Sequence, residues 1–253
     1  MSYARPMQPA LEASPSLWRP LHETDGATVF HVDLMPDAPR ETEALGWLDA
    51  AERSRRDRFL YPRPRREFTL CRAALRSLLC RELGCCNAEL SFETAKFGKP
   101  FARVGGVPVP AAVNVSHTCP HCLIELAPRG RIGVDVEERS TKRSLNDYIR
   151  LLFAPEERAE LEKSRGRGRI ELFYRLWTLK EAAIKAAGAG LSIDPAGFEI
   201  PPGLVRGERT GVFSFPDTPE VRWRLENIGN ARFAAAIARE SVESADRPVR
   251  RKT

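Results

Sequence analysis

The sequence has no stretch of about 18 uncharged apolar residues, and its first twenty, MSYARPMQPALEASPSLWRP, hold no continuous apolar run. The expectation is a cytoplasmic protein without a transmembrane helix or a secretory leader. Lysine is scarce: of the 40 basic residues, 7 are Lys and 33 are Arg. Arg forks suit phosphate and carboxylate, so the ratio and the net charge of +6 point weakly to a phosphorylated ligand or an acidic partner; genome base composition also yields such ratios. Cysteine is limited to Cys71, Cys80, Cys85, Cys86, Cys119 and Cys122, and in a reducing compartment these do not form a disulfide framework. The chain does not need one, because 253 residues of ordinary globular composition can bury a core unaided.

Residues 1–25 and 241–253 lack an apolar period and read as tails. Between them VFHVDL (29–34) alternates as a strand, and two helical patterns follow at about 41–60, broken by YPRP, and 65–83. Ten arginines lie between Arg53 and Arg81, a run that is most often a solvated helix face. Short apolar runs from 90 to 137 read as strands and turns, with NVSH (114–117) as a polar turn and 118–121 as a tight connection. FAPEERAELEK and 170–187 then read as helices, and FEI, GVFSF, VRWRLEN and ARFAAAIA as closing strands. Strand, helix and strands thus occur twice, with a seam near Gly130.

In GVDVEE, strand alternation puts Asp135 and Glu137 on one face. In LWTLKEAAIKAAGAGL, helix periodicity stacks Trp177, Glu181 and Lys185, and Lys180 adds a second cation to the cluster. Each feature alone is common on a surface. Together, three acids and two lysines suit Mg²⁺ shared with a phosphate, since Mg²⁺ takes one or two carboxylates plus phosphate oxygens. Two other readings stand beside this one. The arginine run could track nucleic acid, although aromatics are not interleaved with it. CPHC (119–122) has the spacing of a thiol oxidoreductase, but a strand, LIELA, follows where that chemistry needs a helix; a zinc site from Cys85, Cys86, Cys119 and Cys122 has irregular spacing.

GKP (98–100), NVSH (114–117), GVDVEE (133–138) and WTLKEAAIKAAGAGL (177–191), in this order, resemble the 4′-phosphopantetheinyl transferases of the surfactin type. WxxKEAxxKxxGxGL is the most specific element, and the likeness covers about 50–200. The resemblance implies an α+β fold of two similar lobes related by a pseudo-twofold axis, here 26–130 and 131–240, the second carrying the metal-binding acids, in a monomer. It implies transfer of 4′-phosphopantetheine from coenzyme A to a serine of an acidic apo carrier protein, with Mg²⁺ as cofactor, 3′,5′-ADP released, and neither nucleic acid nor membrane as a partner. Asp135, Glu137 and Glu181 would hold the Mg²⁺. Lys185 would contact the phosphates and, with Asp135 and Glu181, form the catalytic set; Glu181 is also the candidate base. Lys99 and Pro100 would lie along the adenosine, Ser116 and His117 at the 3′-phosphate, and Arg72, Arg66 and Lys180 near the coenzyme. Glu67 stands where a basic residue is expected.

Overall fold

Two helices of 22 residues each, α3 (Pro62–Leu83) and α6 (Gly166–Ala187), organise the chain, and each is ended by a glycine that reverses the backbone. Gly84 and Gly188 adopt φ of 60° and 74°, the left-handed region that costs glycine nothing, and their N–H groups close on the carbonyls of the last turn. The computed structural model describes residues 17–241 except 25, 95–99, 142–144 and 189.

The first half runs β1 (Arg19–Thr24), β2 (Ala27–Asp33), α1 (Ala38–Trp47), α2 (Ala50–Asp57), α3, β3 (Leu90–Thr94), β4 (Pro100–Val104), β5 (Val107–Pro108), β6 (Ala112–Thr118) and β7 (His121–Ala127). The second runs β8 (Ile132–Glu137), α4 (Leu145–Leu152), α5 (Pro155–Lys163), α6, α7 (Pro202–Arg206), β9 (Thr210–Phe215), β10 (Thr218–Asn227) and β11 (Ala234–Glu240). Two four-stranded antiparallel sheets result, ordered β1-β2-β7-β6 and β8-β11-β10-β9, with β3-β4-β5 as a small third sheet. The halves share an element order. In each, a strand leads to the long helix and then to a hairpin whose last strand pairs back with the first: β2, α3, β6, β7 and β8, α6, β10, β11.

Among the described residues, three apolar cores hold this together. Leu70, Ala74 and Leu78 of α3 meet Phe30, Val32 and Ile124, while Leu172, Leu176 and Leu179 of α6 meet Leu225 and Ala236. The third core lies between the halves, where Val29 and Leu123 face Val134, Val136, Phe233 and Ile237. Because β8 lies in this interface, it is buried along nearly its whole length rather than exposed on one face, and Asp135 is only 4% exposed. Polar groups cross the same interface. Arg239 donates to Glu125 at 2.7 Å and to the Thr24 carbonyl at 2.8 Å.

Several expectations change. Residues 19–24, assigned to a tail, form β1; 242–253 lie outside the described residues. The pattern at 41–60 is two helices, because Asp49 and Glu52 close a reciprocal cap that starts a new helix at Ala50. Asn114–His117 is not a turn but part of β6, and the connection is at 119–120. FEI (198–200) joins no sheet: Phe198 and Ile200 instead pack in the α6 core after a 3-10 turn at Pro195–Gly197. Among the described residues no helix is long and apolar enough to cross a membrane.

Gly133 shows what sets α6 against β8. A Cβ there would collide with the Ala182 carbonyl oxygen and crowd the Ala186 amide, both helix backbone that cannot give way. Gly133→Ala should therefore lower stability by about 3 kcal/mol or more in urea denaturation.

The interface also holds a buried histidine pair. Arg19 Nε donates to His31 Nδ1 at 3.4 Å, which assigns the His31 proton to Nε2, 3.0 Å from His121 Nδ1; Phe233 of the other half stacks on His31. Burial, and after it the Arg19 charge, pull His31 down to about 4 from 6.5. The unfolded chain then binds the proton more tightly, so the stability present above pH 6.5 declines as pH falls toward 4. Wild type should lose roughly 3 kcal/mol more than His31→Gln between pH 7 and 4, measured by denaturation at each pH.

Candidate functional site

The close approach of α6 and β8 brings together side chains that are about 50 residues apart in sequence. Lys185 Nζ lies 2.6 Å from Asp135 Oδ1, 3.0 Å from Ser116 Oγ and 3.3 Å from the Val134 carbonyl oxygen. Ser116 itself donates to Asp135 Oδ1 at 2.8 Å, and Trp177 Nε1 reaches Glu137 Oε1 at 3.4 Å. Trp177, Glu181 and Lys185 therefore form the expected stripe, half-buried and turned toward the strand acids. Burial pushes the Glu181 carboxyl up, and the Asp135 charge adds to the shift while Lys185 opposes it.

Asn114 was not singled out by pattern, yet its Oδ1 accepts from the Val134 amide at 3.0 Å and ties β6 to β8. A side-chain amide substituting for a strand ladder leaves no periodic signal.

Among the described residues no three His, Cys, Asp or Glu side chains converge as a preformed metal cluster. That overturns a zinc site from Cys85, Cys86, Cys119 and Cys122, which would need its thiolates gathered around one ion. Mg²⁺ demands less, because substrate phosphates supply much of its coordination shell. The donor set fits such an ion: Asp135 Oδ2 is buried without a hydrogen-bond partner, and the neighbouring Glu181 carboxyl is disfavoured as an anion by burial and by the Asp135 charge. Asp135, Glu181 and Glu137 would be the residues to hold it.

On the His117 face of β6, the strand and the start of α3 line a cavity of about 270 Å³ with Arg55, Phe59, Glu67, Phe68, Arg72 and His117. His117 is 53% exposed, with Nδ1 4.0 Å from Glu67 Oε2. Arg72 is held 4.6 Å over the Phe92 ring and 3.4 Å from Glu52, with Nη1 buried and unpartnered. Burial pulls its guanidinium down from the ordinary arginine value, partly offset by Glu52. Phe59 and Phe68 carried no functional motif and emerge only through the cavity, while Glu67 lines it at the position where the resemblance expects a basic residue.

The other expected residues divide. Arg66 is not a cavity residue; its Nε donates to the Leu34 carbonyl at 3.0 Å. Lys99 lies outside the described residues, and Pro100 begins β4. Ser116, expected at a phosphate, is 8% exposed beneath Lys185. Lys180 is the clearest correction: it is fully buried on the far side of α6, bonded to Glu157 at 2.8 Å and to the Pro195 and Phe198 carbonyls. Five helical residues separate it from Lys185, a rotation of about 140°, so both cannot face β8.

The remaining readings lose their support at this level. Arg76 is fully buried and bonded to Asp49, Glu52, Asn87 and Leu90, and Arg53 and Arg65 donate to backbone carbonyls of their own chain, so much of the arginine run is committed internally. In CPHC, Cys122 is completely buried and burial raises its thiol well above the usual value, while Cys119 is raised for the same reason. A redox nucleophile requires the opposite shift.

Residues 131–238 match the family described as the 4′-phosphopantetheinyl transferase superfamily. The 4′-phosphopantetheinyl transferase HetI of Nostoc is 31% identical over 174 residues, 67% of this chain and 71% of that protein. A Synechocystis protein provisionally assigned as a 4′-phosphopantetheinyl transferase is 38% identical over 145 residues, but the chain covers only 58% of its length. The 4′-phosphopantetheinyl transferase Sfp of Bacillus subtilis is 26% identical over 158 residues, 62% of this chain and 67% of that protein.

The buried pair of Lys180 and Glu157 gives a direct check on the corrected placement. Burial lowers the lysine and raises the acid, so each tolerates the interior only through the other. Lys180→Met should cost about 3–5 kcal/mol in urea denaturation by stranding Glu157, and adding Glu157→Gln should recover part of that loss.

Proposed function

The chain belongs to the 4′-phosphopantetheinyl transferase superfamily, and from that membership we propose that it moves 4′-phosphopantetheine from coenzyme A to a serine of an acidic apo carrier protein, releasing 3′,5′-ADP. The observation that carries this reading is the convergence of Asp135, Glu181 and Lys185 between β8 and α6, with a cavity bearing Arg72 and His117 on the other face of β6. In this proposal the molecule acts in the cytoplasm as a monomer of two lobes, 26–130 and 131–240, related by a pseudo-twofold axis. Its functional partners are coenzyme A and the carrier, with no role for nucleic acid or a membrane.

The residues would divide the work by charge. Lys185, an ammonium beside the carboxylates, neutralises charge that develops on the phosphate leaving group. Mg²⁺, when bound by Asp135, Glu137 and Glu181, would supply Lewis-acid polarisation of the coenzyme's pyrophosphate. Glu181 sits in surroundings that raise its proton affinity, which suits a base taking the proton of the attacking serine hydroxyl, directly or through water. His117 and Arg72 would bind the 3′-phosphate end of the coenzyme, with Lys99 and Pro100 along its adenosine. The basic excess of the sequence favours encounter with an acidic carrier.

Mass spectrometry of apo carrier proteins incubated with the protein, coenzyme A and Mg²⁺ should show one phosphopantetheine added per carrier and one 3′,5′-ADP released. Absence of any mass gain across acyl, peptidyl and aryl carriers would refute the assignment. Asp135→Ala and Glu181→Gln should each lower turnover at least about 100-fold while circular dichroism shows a retained fold. Wild-type turnover in either variant would remove the metal-centred mechanism.

A further inference from the structure

Resting on the transferase reading above, we propose that Ser116 is a positioning residue: its hydroxyl holds Asp135 and Lys185 in place across the seam between the halves, and it does not bind the coenzyme's 3′-phosphate. A serine hydroxyl has one proton and two lone pairs. The proton is donated to Asp135 Oδ1 at 2.8 Å. One lone pair accepts from Lys185 Nζ at 3.0 Å, and the other faces the Val136 amide at 3.4 Å. A phosphate accepts hydrogen bonds only, so it would need the proton that Ser116 already donates to Asp135.

Strand geometry separates Ser116 from the phosphate site as well. Successive side chains of a strand point to opposite faces. On β6, Ser116 turns inward to β8 and is 8% exposed, whereas the His117 side chain turns to the cavity and is 53% exposed. A phosphate seated on His117 lies on the other face of β6 from the Ser116 hydroxyl.

The hydroxyl also decides which oxygen of Asp135 remains available. Oδ1 receives both Ser116 and Lys185, and Oδ2 is left buried with no partner. Removing the hydroxyl frees the carboxylate to rotate, and the Lys185 ammonium keeps only Asp135 and the Val134 carbonyl as anchors. Both consequences fall on turnover rather than on coenzyme affinity.

Coenzyme A and its 3′-dephospho form separate the two roles. Ser116→Ala should lower kcat about 10- to 100-fold with both substrates alike, while calorimetric affinity for each stays within about threefold of wild type. Ser116→Thr, which keeps the hydroxyl, should restore much of the rate, and His117→Ala should weaken coenzyme A and spare the dephospho form. A Ser116→Ala defect confined to coenzyme A, with affinity falling in step, overturns the proposal, as does an unchanged kcat. Should Ser116→Ala not fold, Ser116→Cys, close in volume and a weak donor, makes the same comparison. A wild type that binds neither coenzyme and modifies no carrier sinks the transferase reading, and this proposal with it.

Discussion

The close approach of α6 to β8 is the constraint on which the site depends. Gly133 has no side chain to hold the helix away, so the backbones of Ala182 and Ala186 settle against the strand. Only at that separation can the Lys185 ammonium reach Asp135 and the Val134 carbonyl, and Glu181 feel the Asp135 charge. The glycine of GVDVEE is thus a packing requirement that happens to lie two residues before the acid it positions.

The same helix carries two lysines in opposite situations. Lys180 is sealed in the core of the second half, with Glu157 and two carbonyls saturating its three protons. Lys185 also has three acceptors, Asp135, Ser116 and the Val134 carbonyl, but it sits at the seam, partly exposed and opposite an acid with one oxygen unpartnered. A buried charge that is fully satisfied contributes to structure. One that stays partly exposed at a seam can exchange its partners for a ligand.

The hairpin of β6 and β7 serves both halves at once. Its Asn114 and Ser116 side chains bind to β8, His117 turns to the cavity, and His121 pairs with His31 inside the interface. Cys119 and Cys122 flank the connection as thiols that burial pushes up from the usual value. The CPHC spacing therefore marks a strand connection, and what matters in it chemically is the buried histidine rather than the sulfur.

Local patterns disclosed the two long helices, most strands, the strand carboxylates and the stripe of Trp177, Glu181 and Lys185, because 3.6- and 2-residue periods are written directly into side-chain order. The family likeness then indicated what chemistry those residues would perform. Pattern could not tell which lysine of the KE helix faces the acids, that Ser116 is bonded to Asp135, or that β8 is buried on both faces. Those facts depend on which surfaces of the two halves meet. A hydrogen bond between residues 19 positions apart, or an ion pair between residues 50 apart, leaves no local period, so only the folded packing decides them.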